Sequence, residues 1–303
     1  MAVAFSVWLG MMWQVAMAGH RFHLLATLLL AAGVSCCSLA TADTNTAAKL
    51  SNPEAVFEEA NLFFTQYKQA ARQLREKRTA EAVLTMSLLT RSLKSSPWLE
   101  IALLKQSEMI ENTNDQFALD NYNLLLQRLQ NSPYFQREGE KVRLFAVALQ
   151  GAVHNGINRI RARRIRHALD RYFVRYHEYP ESLAKLAILG YIEMENIQTA
   201  DEKPFRYVPT GQQLSPFLSY KRYEGLETRP PEPFLVTSPR LESTSRASDE
   251  PLKYAAIMQL PGTRQPARVL EDQSVQGLVV LTIAPTGVVL CNDQRILVLL
   301  LPD

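Results

Sequence analysis

The stretch INRIRARRIRHALDRYFVRYHEYPESLAKLAILGYI, from Ile157 to Ile192, decides the architecture. Ile165, Ala168, Leu169, Tyr172, Phe173 and Tyr176 recur at steps of three and four. That spacing predicts an amphipathic helix with one stripe turned to a core. Arg159, Arg161, Arg163, Arg164, Arg166, Arg171 and Arg175 load the other side. Pro180 lacks an amide hydrogen and disfavours helical backbone at Tyr179, so the helix stops there. A shorter helix is predicted to start at this Tyr-Pro corner, because Pro is tolerated in a first turn. Glu181 suits its positive end, Leu183, Leu186 and Leu189 give it an apolar side, and Gly190 is expected as its C-cap.

Upstream, from Pro53 to about Arg175, the pattern is helical throughout. Helices are predicted near 54–76, 79–93, 97–111, 115–130 and 134–153, then over the long stretch from about 157. The breaks between them are short, as at Lys94-Ser95-Ser96, Asn112-Thr113-Asn114 and Asn131-Ser132, and short breaks make antiparallel hairpins. Ser96-Pro97-Trp98 and Ser132-Pro133-Tyr134 open two successive units. Their spacing is close to the ~34-residue tetratricopeptide period. FALDNYNLLLQRLQNSPYFQREGEKVRLFAVAL (117–149) resembles such a unit, which implies a surface that binds protein partners.

Downstream of Ile192 the character changes to short β-rich runs. Strands are predicted at 205–208 and 216–223, around a Pro209-Thr210-Gly211 turn, and at 233–238 and 254–260. The polar, Pro-bounded stretch PRLESTSRASDEP (239–251) reads as a mobile loop. GLVVLTIA (277–284), VVLC (288–291) and RILVLLL (295–301) form a three-stranded meander, which needs a covered face. The helix at 157–176 is expected to cover it, burying Tyr172, Phe173 and Tyr176. The fold class is therefore α+β: antiparallel, tetratricopeptide-like helical hairpins, then a long helix packed on a small antiparallel sheet. The expected division is a helical domain at 53–153 and an α+β domain at 154–303.

ALDRYFVRYHEYPESLAKL (168–186) resembles the segment that follows the helix in type II secretion pseudopilins, with its pattern of Ala-Leu, Tyr, Tyr-Pro and Ser-Leu. Glu178 stands where that family usually has Gly. KPFRYVPTGQQLSPFLSY (203–220) is similar to the strand pair that comes next in those proteins. The resemblance implies an extracytoplasmic protein.

The beginning of the chain points the same way. His20, Arg21 and His23 precede the apolar run 24–34, and Ala40-Thr41-Ala42 fits a small-x-small cleavage site before Asp43. Residues 1–42 are read as a signal peptide or an N-terminal membrane anchor, and 43–52 as a flexible leader. Residues 22–40 are nearly long enough to span a bilayer, so membrane association through the N-terminus is a second expectation. Cys36 and Cys37 lack the Leu that usually precedes a lipidated cysteine by three positions. Beyond residue 42 only Cys291 remains, which excludes an internal disulfide or a zinc-thiolate site in the processed chain.

Chemistry-bearing motifs are few. No H-E-x-x-H, nucleophile elbow, Walker A loop or dinucleotide glycine loop occurs. His154, His167 and His177 read as helix or surface residues, Cys291 as a buried small side chain, and Glu193, Glu195, Asp201 and Glu202 as a solvated acidic loop. No catalytic residue, cofactor site or metal site is assigned. The arginine face is the one unusual feature, and Arg161, Arg164, Arg171 and Arg175 are its candidate partner-binding residues. The basic face carries no interleaved aromatics and the net charge is only +3, so nucleic acid is not the expected partner. These readings favour a non-enzymatic, extracytoplasmic interaction or scaffold protein with protein partners in a bacterial envelope or secretion assembly. The two rivals are a membrane-anchored pseudopilin relative and a hydrolase whose site is assembled from scattered polar residues such as His177, Glu178 and the acids of 193–202.

Overall fold

A computed structural model of the chain describes residues 53–94, 97–207, 239–249 and 252–302. The expected signal peptide or anchor at 1–42, the leader at 43–52, the strand at 233–238 and most of the hairpin at 205–223 lie outside them. From Glu54 onward the chain is one compact unit. Its helices are α1 (Pro53–Arg75), α2 (Thr79–Ser92), α3 (Trp98–Ile110), α4 (Asp115–Asn131), α5 (Glu140–Tyr176) and α6 (Leu183–Ile188). A 3-10 turn at Met194–Ile197 follows. The strands are β1 (Arg240–Asp249), β2 (Leu252–Gln259), β3 (Ala267–Leu270), β4 (Ser274–Val275), β5 (Leu278–Ala284), β6 (Gly287–Asn292) and β7 (Arg295–Leu300). The fold is α+β, with helices leading and antiparallel sheets closing the chain.

The helix boundaries follow their caps. Asn114 accepts a hydrogen bond from the Phe117 amide at 3.0 Å and starts α4. His177 takes the left-handed conformation, φ 58°, and ends α5 three residues before Pro180. Gly190, φ 73°, closes α6, with the Tyr191 amide bonded to Leu186 O and its own amide to Ala187 O, as a Schellman cap requires.

The helices predicted at 134–153 and from 157 are one helix, α5, of 37 residues. The expected division at 153/154 falls inside it. Its interior glycines, about 1 kcal/mol worse than alanine in a free helix, stand where neighbours come too close for a side chain. A Cβ on Gly151 would run into Asp293 O in the β6–β7 turn, and one on Gly156 into the Tyr122 ring. Close approach offsets the lost propensity, and the helix continues.

Among the described residues two sheets form, with strand orders β1-β2-β3 and β4-β5-β6-β7. The larger is apolar on both faces. Val289, Cys291, Ile296, Val298 and Leu300 turn toward Phe64, Leu104 and Leu149 of the helices. Val288, Leu290, Leu297 and Leu299 turn toward Leu241, Ala256 and Met258 of the smaller sheet. Strands buried on both faces lose the alternation of a half-exposed strand, which is why 277–301 reads as nearly unbroken apolar runs. The meander therefore has a second cover besides the helix.

Residues 239–251, expected as a mobile loop, instead contain β1. Its polar sequence suits the outer edge of the smaller sheet, where the apolar β2 supplies the pairing. Register shifts at Leu241/Ser243 and Arg246/Ser248 mark irregularities along it.

The main core joins Phe63, Phe64, Trp98, Leu104, Tyr122 and Phe145 to Leu281, Val289 and Ile296. Trp98 packs its ring between Phe63 and Phe64, with centroids 5.3 and 5.6 Å away. Apart from Leu99, α3 is buried from Trp98 through Ser107, so it runs through the centre of the helical layer. A second cluster lies at the far end of α5, where Ile165, Ala168, Leu169 and Tyr172 meet Leu183, Leu186, Ile197 and Phe205.

Candidate functional site

The arginine-bearing face of α5 has two parts. Arg159 binds Glu111 through Nε and Nη2, both at 3.0 Å, and Arg163 donates to Glu111 O at 2.6 Å and to Asn112. Arg164 reaches Asp115 Oδ2 at 2.8 Å, Gln116 Oε1 at 3.1 Å and Asn196 Oδ1 at 3.3 Å. Its hydrogen bond holds the Asp115 carboxyl below the ordinary carboxylate range against a burial effect that opposes it. Arg161 donates to Gln198 O at 3.2 Å and Thr199 O at 3.0 Å, and pairs with Glu195. These arginines clamp the α3–α4 turn and the 195–199 loop onto α5.

Arg171 and Arg175, about two and three turns beyond Arg164, are exposed and meet tyrosines instead. Arg171 donates to Tyr191 O and lies 6.0 Å from the centre of the Tyr191 ring. Arg175 lies 5.5 Å from the centre of Tyr176. Lys185 of α6 comes to 6.0 Å from Tyr172, whose hydroxyl holds the ammonium above its usual value. Tyr172 in turn touches both other rings, 4.5 Å from Tyr176 and 5.7 Å from Tyr191. Three cations are thus gathered around Tyr172 and the two tyrosine rings that pack on it. Ile188 and Leu189, on the short segment between Lys185 and Tyr191, are 77% and 46% exposed.

This geometry corrects the expected burial of the tyrosine stripe against the meander. Tyr172 is buried, but against α6 and Tyr191. Phe173 is half-buried beside Tyr179, 4.9 Å between ring centres, and Tyr176 is exposed. The cover of the meander comes from the first half of α5.

Of the candidate row, Arg161 and Arg164 are drawn inward, and Arg171 and Arg175 remain at the surface. Periodicity did not find Lys185 or Tyr191, which reach the cluster through the Tyr-Pro corner. It also missed a row along α3, Lys105, Glu108 and Glu111, whose three-residue spacing places them on one side of the helix. Lys105 is almost fully buried and donates to Glu108 Oε2 at 2.8 Å and Ile296 O at 2.7 Å. Burial, the largest influence, would lower its pKa, but Glu108 and Tyr67 together outweigh it and keep the ammonium above the ordinary value. Glu111 also accepts the Tyr122 hydroxyl at 3.1 Å. The row is an internal strut between helices and sheet.

Of the loop acids, Glu195 is taken by Arg161, and Asp201 and Glu193 are engaged locally. Asp201 pairs with Lys203 at 2.6 Å and accepts from Thr199, which pushes its carboxyl down to about 2. Glu193 accepts from Asn196 at 3.3 Å. His177 and Glu178 lie exposed at the end of α5. Among the described residues no group of three His, Cys, Asp or Glu side chains is placed to hold a metal ion, and no helix is long and apolar enough to cross a membrane. Comparison with protein-family models, characterised proteins and solved structures finds nothing that matches this chain.

Proposed function

We propose that the chain is a non-enzymatic, extracytoplasmic interaction protein of a bacterial envelope or secretion assembly, and that its partner docks on the tyrosine–arginine corner at the end of α5. The observation that carries this reading is the gathering of Arg171, Arg175 and Lys185 around Tyr172, Tyr176 and Tyr191, beside exposed Ile188 and Leu189. Arginine and tyrosine dominate the energetic centres of protein interfaces, and a cation presented over an aromatic ring favours an acidic partner. The likeness of 168–186 to pseudopilins and the apolar run before Ala42 support the extracytoplasmic part.

Recovery of partners from an envelope fraction tests it. The double variant Arg171→Glu, Arg175→Glu should keep the wild-type unfolding midpoint and lose an acidic protein that the wild type retains at low salt. Charges at such a surface are screened over about 10 Å at 0.1 M salt, so the wild-type interaction should weaken as salt rises. Unchanged recovery by the double variant would overturn the assignment.

A further inference from the structure

β7 ends the larger sheet and pairs only with β6 among the described residues. The phase of its backbone follows from two contacts. The Leu301 amide donates to Thr286 O at 3.2 Å, so the peptide groups of Leu301, Leu299 and Leu297 face β6. Those of Ile296, Val298 and Leu300 face away. Ile296 O bears this out, because Lys105 Nζ takes it from outside the sheet at 2.7 Å. Val298 and Leu300 are left with an N–H and a C=O each on the open edge, where neither is hydrogen-bonded among the described residues.

Proteins usually guard such an edge with charges, proline, bulges or brevity. β1 shows the first and third of these, with Arg240, Glu242 and Arg246 along its length and two register shifts. β7 shows neither. It carries no charge from Ile296 to Leu301, pairs with β6 in unbroken register, and is only partly buried from Leu297 onward. A strand laid beside it would continue a sheet covered by helices on one face and by β1–β3 on the other. It would have to be apolar at successive positions, on both faces, and neutral. β7 is itself such a strand.

We propose that β7 is a homodimer seam, joined by the β7 of a second copy running antiparallel about a two-fold axis at Leu299. Lys105 sets the register. It occupies Ile296 O, so the edge offers only Val298 and Leu300. Antiparallel pairing that uses both on each copy puts Val298 opposite the second copy's Leu300, and each such pair exchanges both of its N–H···O bonds. Leu299 then lies opposite its own counterpart in a non-hydrogen-bonded pair. Two chains in this arrangement share one eight-stranded sheet, twice the four strands of each.

The register makes the proposal testable on the full chain, with Cys36 and Cys37 changed to Ser so that they do not contribute. Cα atoms of a non-hydrogen-bonded antiparallel pair are about 4.5 Å apart, within disulfide range. Under mild oxidation Leu299→Cys should give a covalent dimer. Leu297→Cys, on the same face but two residues off the axis, should not. Leu300→Pro removes an N–H that points only to the open edge, where proline is tolerated. It should keep the unfolding midpoint close to wild type and weaken dimerisation roughly tenfold, read by sedimentation across a concentration series. A wild-type chain that stays monomeric at the highest attainable concentration overturns the seam. So does a dimer that is indifferent to Leu300→Pro, or one that crosslinks at 297 in preference to 299. The result is separate from the envelope reading: a monomeric chain that still recovers its partner through Arg171 and Arg175 leaves that reading intact.

Discussion

The two halves of α5 use the same kind of residue to opposite ends. From Phe145 to Ile160 the helix is enclosed by α3, α4 and the larger sheet, and its glycines mark where backbone or ring presses against it. From Arg171 to Tyr176 it meets the α6 corner and, at Tyr172, the segment carrying Ile197 and Phe205, and its cations rest on rings at the surface. Between them, Arg159, Arg163 and Arg164 are held by groups from the α3–α4 turn. What an arginine does here depends on what else reaches that level of the helix. Its place in the helical repeat does not decide it.

The strongest test of the contrast is truncation at its two ends. Phe145→Ala, deep in the main core, should lower stability by about 3–5 kcal/mol in urea unfolding. Phe173→Ala, half-buried beside Tyr179, should cost roughly 1 kcal/mol. Equal shifts would mean that the far end of α5 is as integral as the near end.

The glycines sharpen it next. Alanine normally strengthens a helix relative to glycine, yet Gly151→Ala and Gly156→Ala should each destabilise by about 1–3 kcal/mol, because the added methyl meets Asp293 O or Tyr122. A stabilised variant, measured the same way, would remove the reason for the unbroken helix.

Among the arginines the effects are smaller and depend on pH. Arg164→Ala should cost about 0.5–1 kcal/mol at neutral pH, since its pair with Asp115 is partly exposed. Arg175→Ala should stay within about 0.5 kcal/mol. Asp115 has a depressed carboxyl pKa, so its contribution is present above the ordinary carboxylate range and is lost as pH falls through the depressed value. The penalty of Arg164→Ala should therefore shrink in strong acid. A penalty that does not change with pH would show that the ion pair contributes nothing.

The mildest test leaves stability alone. Burial pushes the Cys291 thiol up to about 11, so it should resist a thiol reagent in the native protein and react on unfolding. Rapid native labelling would place it outside the core.

Much of this arrangement could be read from the chain. The runs at 277–284, 288–291 and 295–301 announced their strands, and Pro180 and Gly190 announced the corner. β1 could not be read, because RLESTSRASD has no apolar face and becomes a strand only when β2 pairs with it. β3 and β4, of four and two residues, are too short to carry a period. At the candidate site, spacing put Arg161 and Arg164 on the same row as Arg171 and Arg175. Their partners, Asp115, Glu195 and Asn196, come from segments more than thirty residues away along the chain, a distance that local periodicity does not span.

The strut from Lys105 to Ile296 bridges 191 positions of the chain, and Phe64 closes on Gly287 from the opposite end of the fold. The helical layer therefore cannot reach its final packing until the last strands exist. A ribosome adding ~5–20 residues per second would hold the helices with their sheet-facing side uncovered until synthesis was nearly complete. Contacts this remote in sequence also slow the search for the native state once the chain is free. A chain of this design completes the packing of its helical layer only as its last strands are made.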